Sequence, residues 1–167
     1  MWDRIAKSTR LGAVLDAAQR EAARHGSARV GTDHLLLGLL SEPASVPAQA
    51  LAVTREQART ALTGLDHTAL AALGLALDIR ETEALPPRPR RTVLSRNGVS
   101  SNAWTVLRQA IDATTIKTRH HAPNHLLRAL LSLPQPDPAS QLLTELGIDP
   151  AATLVRLDGL EKSYPSG

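Results

Sequence analysis

The sequence predicts an all-α fold: two four-helix repeats packed as one pseudo-twofold domain. Three observations carry this. The apolar residues are almost entirely aliphatic, they fall at helical spacings, and the same order of segments occurs twice along the chain. Hydrophobic residues make up 43% of the 167, enough for a packed core. Aromatics are only 2% and Phe is absent, so Leu, Ala, Val and Ile must fill that core. Ala and Leu are strong helix formers, and Ala at crossing points lets helices approach closely.

Each element has local reasons. In "RLGAVLDAAQREAARHG", Leu11, Val14, Leu15, Ala18 and Ala22 lie on one helical face. Ser8 or Thr9 is placed to cap it, and Gly26 to stop it. Thr32 is the expected cap of the next helix, with Asp33 favourable in its first turn. "EPASVP" (42–47) reads as a turn and "AQALA" as a short helix. Thr54 with Gln57 forms a capping-box pattern at the start of a fourth helix. Residues 64–80 stay ambiguous, with two glycines and a possible short strand at "ALDI". Pro86, Pro87 and Pro89 make residues 81–99 a connector, extended and exposed.

The pattern then restarts. "SSNAWTVLRQAIDATTIK" is a helix capped by Ser100 or Ser101, and "PNHLLRALLSL" is the next. A Pro-rich turn "PQPDP", a helix "ASQLLTELG" ending at Gly147, and a last helix with Asp149 as cap and Pro150 at its first position complete the half. Val14 matches Val106, His34 matches His125 and Leu51 matches Leu143, at a displacement of about 92 residues. The expected organisation is one domain over 1–160, with repeat one at 8–80, repeat two at 100–160 and the connector at 81–99. Each half alone has a thin core, so the two should pack together.

Several function classes are disfavoured. Without Cys there are no disulfides or thiolate metal sites. The N-terminus has no apolar signal region, and "HLLLGLL" is far too short to span a membrane. The expectation is a cytoplasmic protein with no membrane partner. Net charge is only +3, from 19 basic and 16 acidic residues, and no aromatics interleave the basic cluster "RPRR" (88–91) or nearby Arg96. A solvated linker fits that cluster better than a nucleic-acid stripe. His120, His121 and His125 in "HHAPNH" do not make a convincing zinc set, since no Cys exists and Pro123 interrupts any helix joining them. No catalytic motif and no phosphate-binding glycine loop occurs, so neither an enzyme nor a cofactor is expected.

Residues 14–40, "VLDAAQREAARHGSARVGTDHLLLGLL", carry a family likeness. They resemble the first repeat of the Clp N-terminal (Clp R) domain of ClpC-type Hsp100 unfoldases, with its A-Q-E-E-A helix followed by G-T-E-H and a Leu-rich run. The second half, with "HAPNHLLRALL", is similar more loosely. The resemblance implies a substrate- and adaptor-receiving domain, here without the ATPase modules and therefore free-standing. In some members the Glu of each G-T-E-H motif binds the guanidinium of phosphoarginine. Asp33 and Asn124 stand at those positions. Asp33 keeps the charge on a shorter arm, whereas Asn124 loses it and cannot form the bidentate fork. Thr32 is retained and Pro123 replaces the second Thr. Ser8 and Ser100 stand where the family has Thr at the start of each repeat's first helix. Trp2 and Trp104 fall at places that border a peptide and cyclic-peptide groove in the family, and large amphipathic rings suit such anchoring.

The resemblance thus implies a non-catalytic protein- or peptide-binding module of the Clp proteolysis system, acting as adaptor, competitor or sequestering domain with a degenerate phosphoarginine-type pocket. Its partners would be peptide or protein clients, a ClpC-type unfoldase, or a cyclic peptide. The alternatives are a decoy for cyclic-peptide antibiotics, a nucleic-acid-associated regulator using the basic connector, and a protein that works by oligomerising through a Trp-lined surface.

Overall fold

The computed structural model describes residues 10–75 and 98–164, and every described element is helical apart from one isolated bridge. The first half contains α1 (Leu11–Arg24), α2 (Thr32–Leu39), α3 (Val46–Leu51) and α4 (Arg55–Ala72). The second contains α5 (Ser101–Asp112), α6 (Ala122–Leu131), α7 (Pro138–Glu145) and α8 (Pro150–Ser163), with a 3₁₀ turn at Arg119–His121 before α6.

Local chemistry sets most ends. Ser45, Ser100, Asp137 and Asp149 accept backbone N–H groups at the starts of α3, α5, α7 and α8. At α4 the reciprocal capping box forms: Thr54 Oγ1 accepts the Gln57 N–H at 3.1 Å, and Gln57 Oε1 accepts the Thr54 N–H at 2.8 Å. Gly26, Gly74 and Gly147 have φ of 69°, 74° and 66°, and each ends a helix. The 6→1 bonds Ser27 N to Ala22 O, Leu75 N to Leu70 O and Ile148 N to Leu143 O accompany them.

Three local expectations are corrected. Thr32 does not cap α2. Gly31 is the N-cap, and its N–H donates to His34 Nδ1 at 2.9 Å. Residues 64–72 continue α4 through Gly64, because one helical glycine costs only about 1 kcal/mol and the stop arrives at Gly74. The helix of "SSNAWTVLRQAIDATTIK" ends at Asp112 rather than running to Lys117. Thr115 and Thr118 there bond each other's backbone N–H groups, the local competition that hydroxyl residues offer to a helix.

The end of the connector also differs from an exposed extension. Val99 is buried and pairs in parallel with Val30, through Val30 N to Gly98 O and Ser100 N to Val30 O, both 2.9 Å. The rest of the connector lies outside the described residues, as do Trp2, Ser8, the "RPRR" cluster with Arg96, and the "ALDI" segment.

α2 and α6 lie at the centre. All eight residues of α2 are buried, and Leu35, Leu36, Leu37 and Leu39 are each 2% exposed or less. A helix that is apolar all round must sit inside its neighbours. Each of these leucines contributes about 1.5–3 kcal/mol of burial. α1 folds back on α2 and α5 on α6, while α2 and α6 touch each other. α1 and α2 pack tightly at Gly38, where an added Cβ would lie 2.5 Å from Val14 O and 3.2 Å from Ala18 Cβ.

The outer helices exchange between halves. α8 packs on α3, and α4 packs on α7. Arg156 of α8 donates from Nε to Ala50 O near the end of α3 at 2.8 Å. One continuous apolar core therefore contains residues of both repeats, from Leu11 to Leu157.

Candidate functional site

The duplication places two related junctions where one repeat meets the other. In the first, the start of α2 meets the start of α7. Thr32 Oγ1 donates to Asp137 Oδ1 at 2.7 Å and accepts the Ala139 N–H at 3.2 Å. Asn102 Nδ2 donates to Asp137 Oδ2 at 2.9 Å. Thr32 and Asp137 are each 1% exposed, so this junction is closed.

The second junction joins the start of α6 to the start of α3, and it is open. At the displacement of about 92 residues, Pro123 stands for Thr32, Ser45 for Asp137 and Arg10 for Asn102. Pro123 has no hydroxyl. Ser45 is too short to cross, and its Oγ accepts the Ala48 N–H of its own helix at 3.3 Å. A cavity of about 600 Å³ opens there. Its polar lining includes Arg10, Glu42, His120, His121 and Asn124, and its apolar wall includes Ala13, Val14, Leu39 and Tyr164.

Around the cavity the polar groups are ordered. Asn124 Nδ2 donates to Glu161 Oε1 at 2.9 Å and lies 3.3 Å from His121 Nδ1. Arg128 bridges Glu161 at 2.6 Å and Asp158 at 2.7 Å. The rings of His120 and His121 lie 3.9 Å apart, centroid to centroid. Burial first, then His121, Arg10 and Arg119, lower the His120 pKa. Burial also lowers that of His125, against the opposing charge of Glu161. Sequence reasoning missed Arg10, Glu42, Glu161 and Tyr164 as neighbours of Asn124. The matched positions Arg10/Asn102 and Ser45/Asp137 were the available signal.

Asp33 lies in a different environment. It is 9% exposed, with Oδ1 3.3 Å from His34 Nδ1. His34 is buried and holds the capping box with Gly31, and its Nε2 has no hydrogen-bond partner among the described residues. Burial dominates in lowering the His34 pKa, against the nearby Asp33 charge. The His25 ring meets His34 edge-on, and His25 Nε2 pairs with Asp66 at 2.6 Å. Beside them, buried Glu21 is held by Arg59, which also pairs with Glu56.

The proposed site residues are thus divided. Thr32 and Ser100 have structural duties, Ser100 as N-cap of α5 through the Ala103 N–H at 3.2 Å. Asp33 borders the His34 cluster, and Asn124 lines the cavity. Trp104 is half-buried against the core and does not line that cavity. No cluster of three or more potential metal ligands forms among the described residues. No described helix is long and apolar enough to cross a membrane.

No curated protein matches the chain. The all-helical paired-repeat fold and the Gly-Thr-Asp-His start of its central helix accord with a match to a family model, the Clp repeat (R) N-terminal domain, over residues 6–71.

Proposed function

We propose that this chain is a non-catalytic peptide-binding module of the Clp proteolysis system, which acts by occupancy: as a substrate adaptor, a competitor or a sequestering domain. One observation carries the reading. The family match coincides with a cavity of about 600 Å³ at the open junction, with an apolar wall for side chains and a polar rim for backbone and charge. Clients that expose unfolded segments are the partners such a cavity suits, and a cyclic peptide would compete for the same wall.

The finer reading, a degenerate phosphoarginine pocket, rests on the retained Asp33 carboxylate. Guanidinium recognition there has to draw Asp33 away from His34, and at the other position Asn124 is already donating to Glu161. Peptide binding at the open junction is therefore the primary proposal.

Calorimetric titration tests both. A short unstructured peptide should bind the parent and not Ala13→Phe, which fills the cavity from α1. Equal binding by Ala13→Phe, or none by the parent, overturns the reading. Free phosphoarginine that binds the parent but not Asp33→Ala would show that the guanidinium pocket persists. No heat from the parent would show that it has decayed.

A further inference from the structure

Comparison of the two junctions says what the open one lacks. In the closed junction the Asp137 carboxylate is the hub. It takes the Thr32 hydroxyl and the Ala139 N–H on one oxygen and the Asn102 amide on the other. At the open junction the matching residue is Ser45, and the cationic Arg10 stands where Asn102 stands. The hub carboxylate is missing and a cavity takes its place, with a stronger donor for an anion than the closed junction has.

We infer that the cavity binds a carboxylate-bearing peptide group, which occupies the place that Asp137 fills in the closed junction, with Arg10 as its main partner and the His120–His121 pair beside it. This rests on the peptide-binding reading and specifies the part of the peptide that is read. The carboxylate would come from a chain terminus or from an acidic side chain.

The charged groups facing the cavity give the site a pH dependence. Of the lining groups, Arg10 comes from the start of α1, His120 and His121 from the 3₁₀ turn and Glu42 from the turn after α2, while Arg119, Glu161 and His125 stand behind the histidines and Asn124. The Arg10 guanidinium is the site's principal donor for an anion. Protonation of His120, whose pKa burial holds below 6.5, adds positive charge beside the bound anion, so affinity rises as pH falls below that value. Glu42 is the exposed acidic residue of the lining, and it would disfavour a second carboxylate on the bound peptide.

The test is an NMR titration of the full chain with three probes: acetyl-Leu-Ala-Ala as the free acid, the same peptide as its C-terminal amide, and acetyl-Leu-Ala-Asp amide. We expect one or both carboxylate probes to shift the amides of Arg10, Ala13 and Asn124 and to bind about tenfold tighter than the plain amide. Arg10→Gln should remove that preference. Affinity should rise several-fold as pH falls below 6.5, and His120→Gln should flatten this rise. Ser45→Asp keeps a good cap and restores the internal carboxylate, so it should abolish carboxylate binding while the fold is retained. Equal binding of all three probes, or undiminished carboxylate binding by Ser45→Asp, overturns the inference and leaves the peptide-binding reading standing. Binding of none of the probes overturns both.

Discussion

Thr32 Oγ1 donates to Asp137 Oδ1 at 2.7 Å, across 105 positions of sequence, and joins the start of the first repeat's central helix to the cap of the second repeat's third helix. Both side chains are buried, so neither can exchange this bond for water. Asp137→Ala removes the cap of α7 and leaves the buried Thr32 hydroxyl without its acceptor, while the Ala139 N–H keeps only Thr32 Oγ1. The expected loss of stability is roughly 2–4 kcal/mol, the sum of a lost cap and a buried unpaired donor. Chemical denaturation checks it. A loss below about 0.5 kcal/mol would mean that the network is not holding the junction.

At Gly38 α2 packs tightly on α1. An added methyl meets the Val14 carbonyl at 2.5 Å, a backbone atom that cannot swing aside. Gly38→Ala would gain helix propensity at an ordinary site, yet here it should destabilise by about 1–3 kcal/mol. A thermal melt of the variant that matches or exceeds the parent would contradict this packing.

Leu157 is fully buried on α8, the helix that the second repeat lends to α3 of the first. Leu157→Ala should cost about 2–5 kcal/mol. The chain should still unfold in one transition, because one core spans both halves. Two separated transitions, with only the second weakened, would show that the halves are energetically independent.

Acid should weaken the fold in two stages. Burial lowers the folded-state pKa of His34 below 6.5, so the unfolded chain takes up that proton first. Stability then falls as pH drops through the region just below 6.5. His34→Gln can keep an N3 cap while removing the charge, and it should reduce the slope of stability against pH in that window. Glu21 acts lower down. Its own burial would raise its pKa, but the hydrogen bond and charge of Arg59, with Arg55 and Arg24 beyond, bring it below 4.5. Its contribution is present above 4.5 and disappears as pH falls through the depressed folded value. Denaturation midpoints measured from about pH 7.5 down to 3 would show both stages, and a His34→Gln profile parallel to the parent would remove His34 from the account.

What could be read from the sequence was local. Thr54 with Gln57, Ser100, Asp149 before Pro150, and the stopping glycines 26 and 147 all act within a few residues, and each does what its position suggests. The buried leucines of α2 and α6 followed from composition and spacing. Thr32 shows where such reading stops. A Thr before an apolar run is a standard cap, but here His34 reaches back to Gly31 and releases the Thr32 hydroxyl for a partner in the other repeat. The cavity was hidden for the same reason. It arises from three non-local absences at Pro123, Ser45 and Arg10, and each position is unremarkable until set against its counterpart.

The exchanged outer helices bear on how the chain is made. During synthesis α1 to α4 emerge first, yet the apolar side of α3 finds its main cover when α8 arrives at the end of the chain. Until then the early half exposes Leu51 and its neighbours, the kind of surface that recruits holding factors at the ribosome. A nascent chain stalled before Pro150 should therefore remain protease-sensitive in both halves, and one released after Ser163 should not.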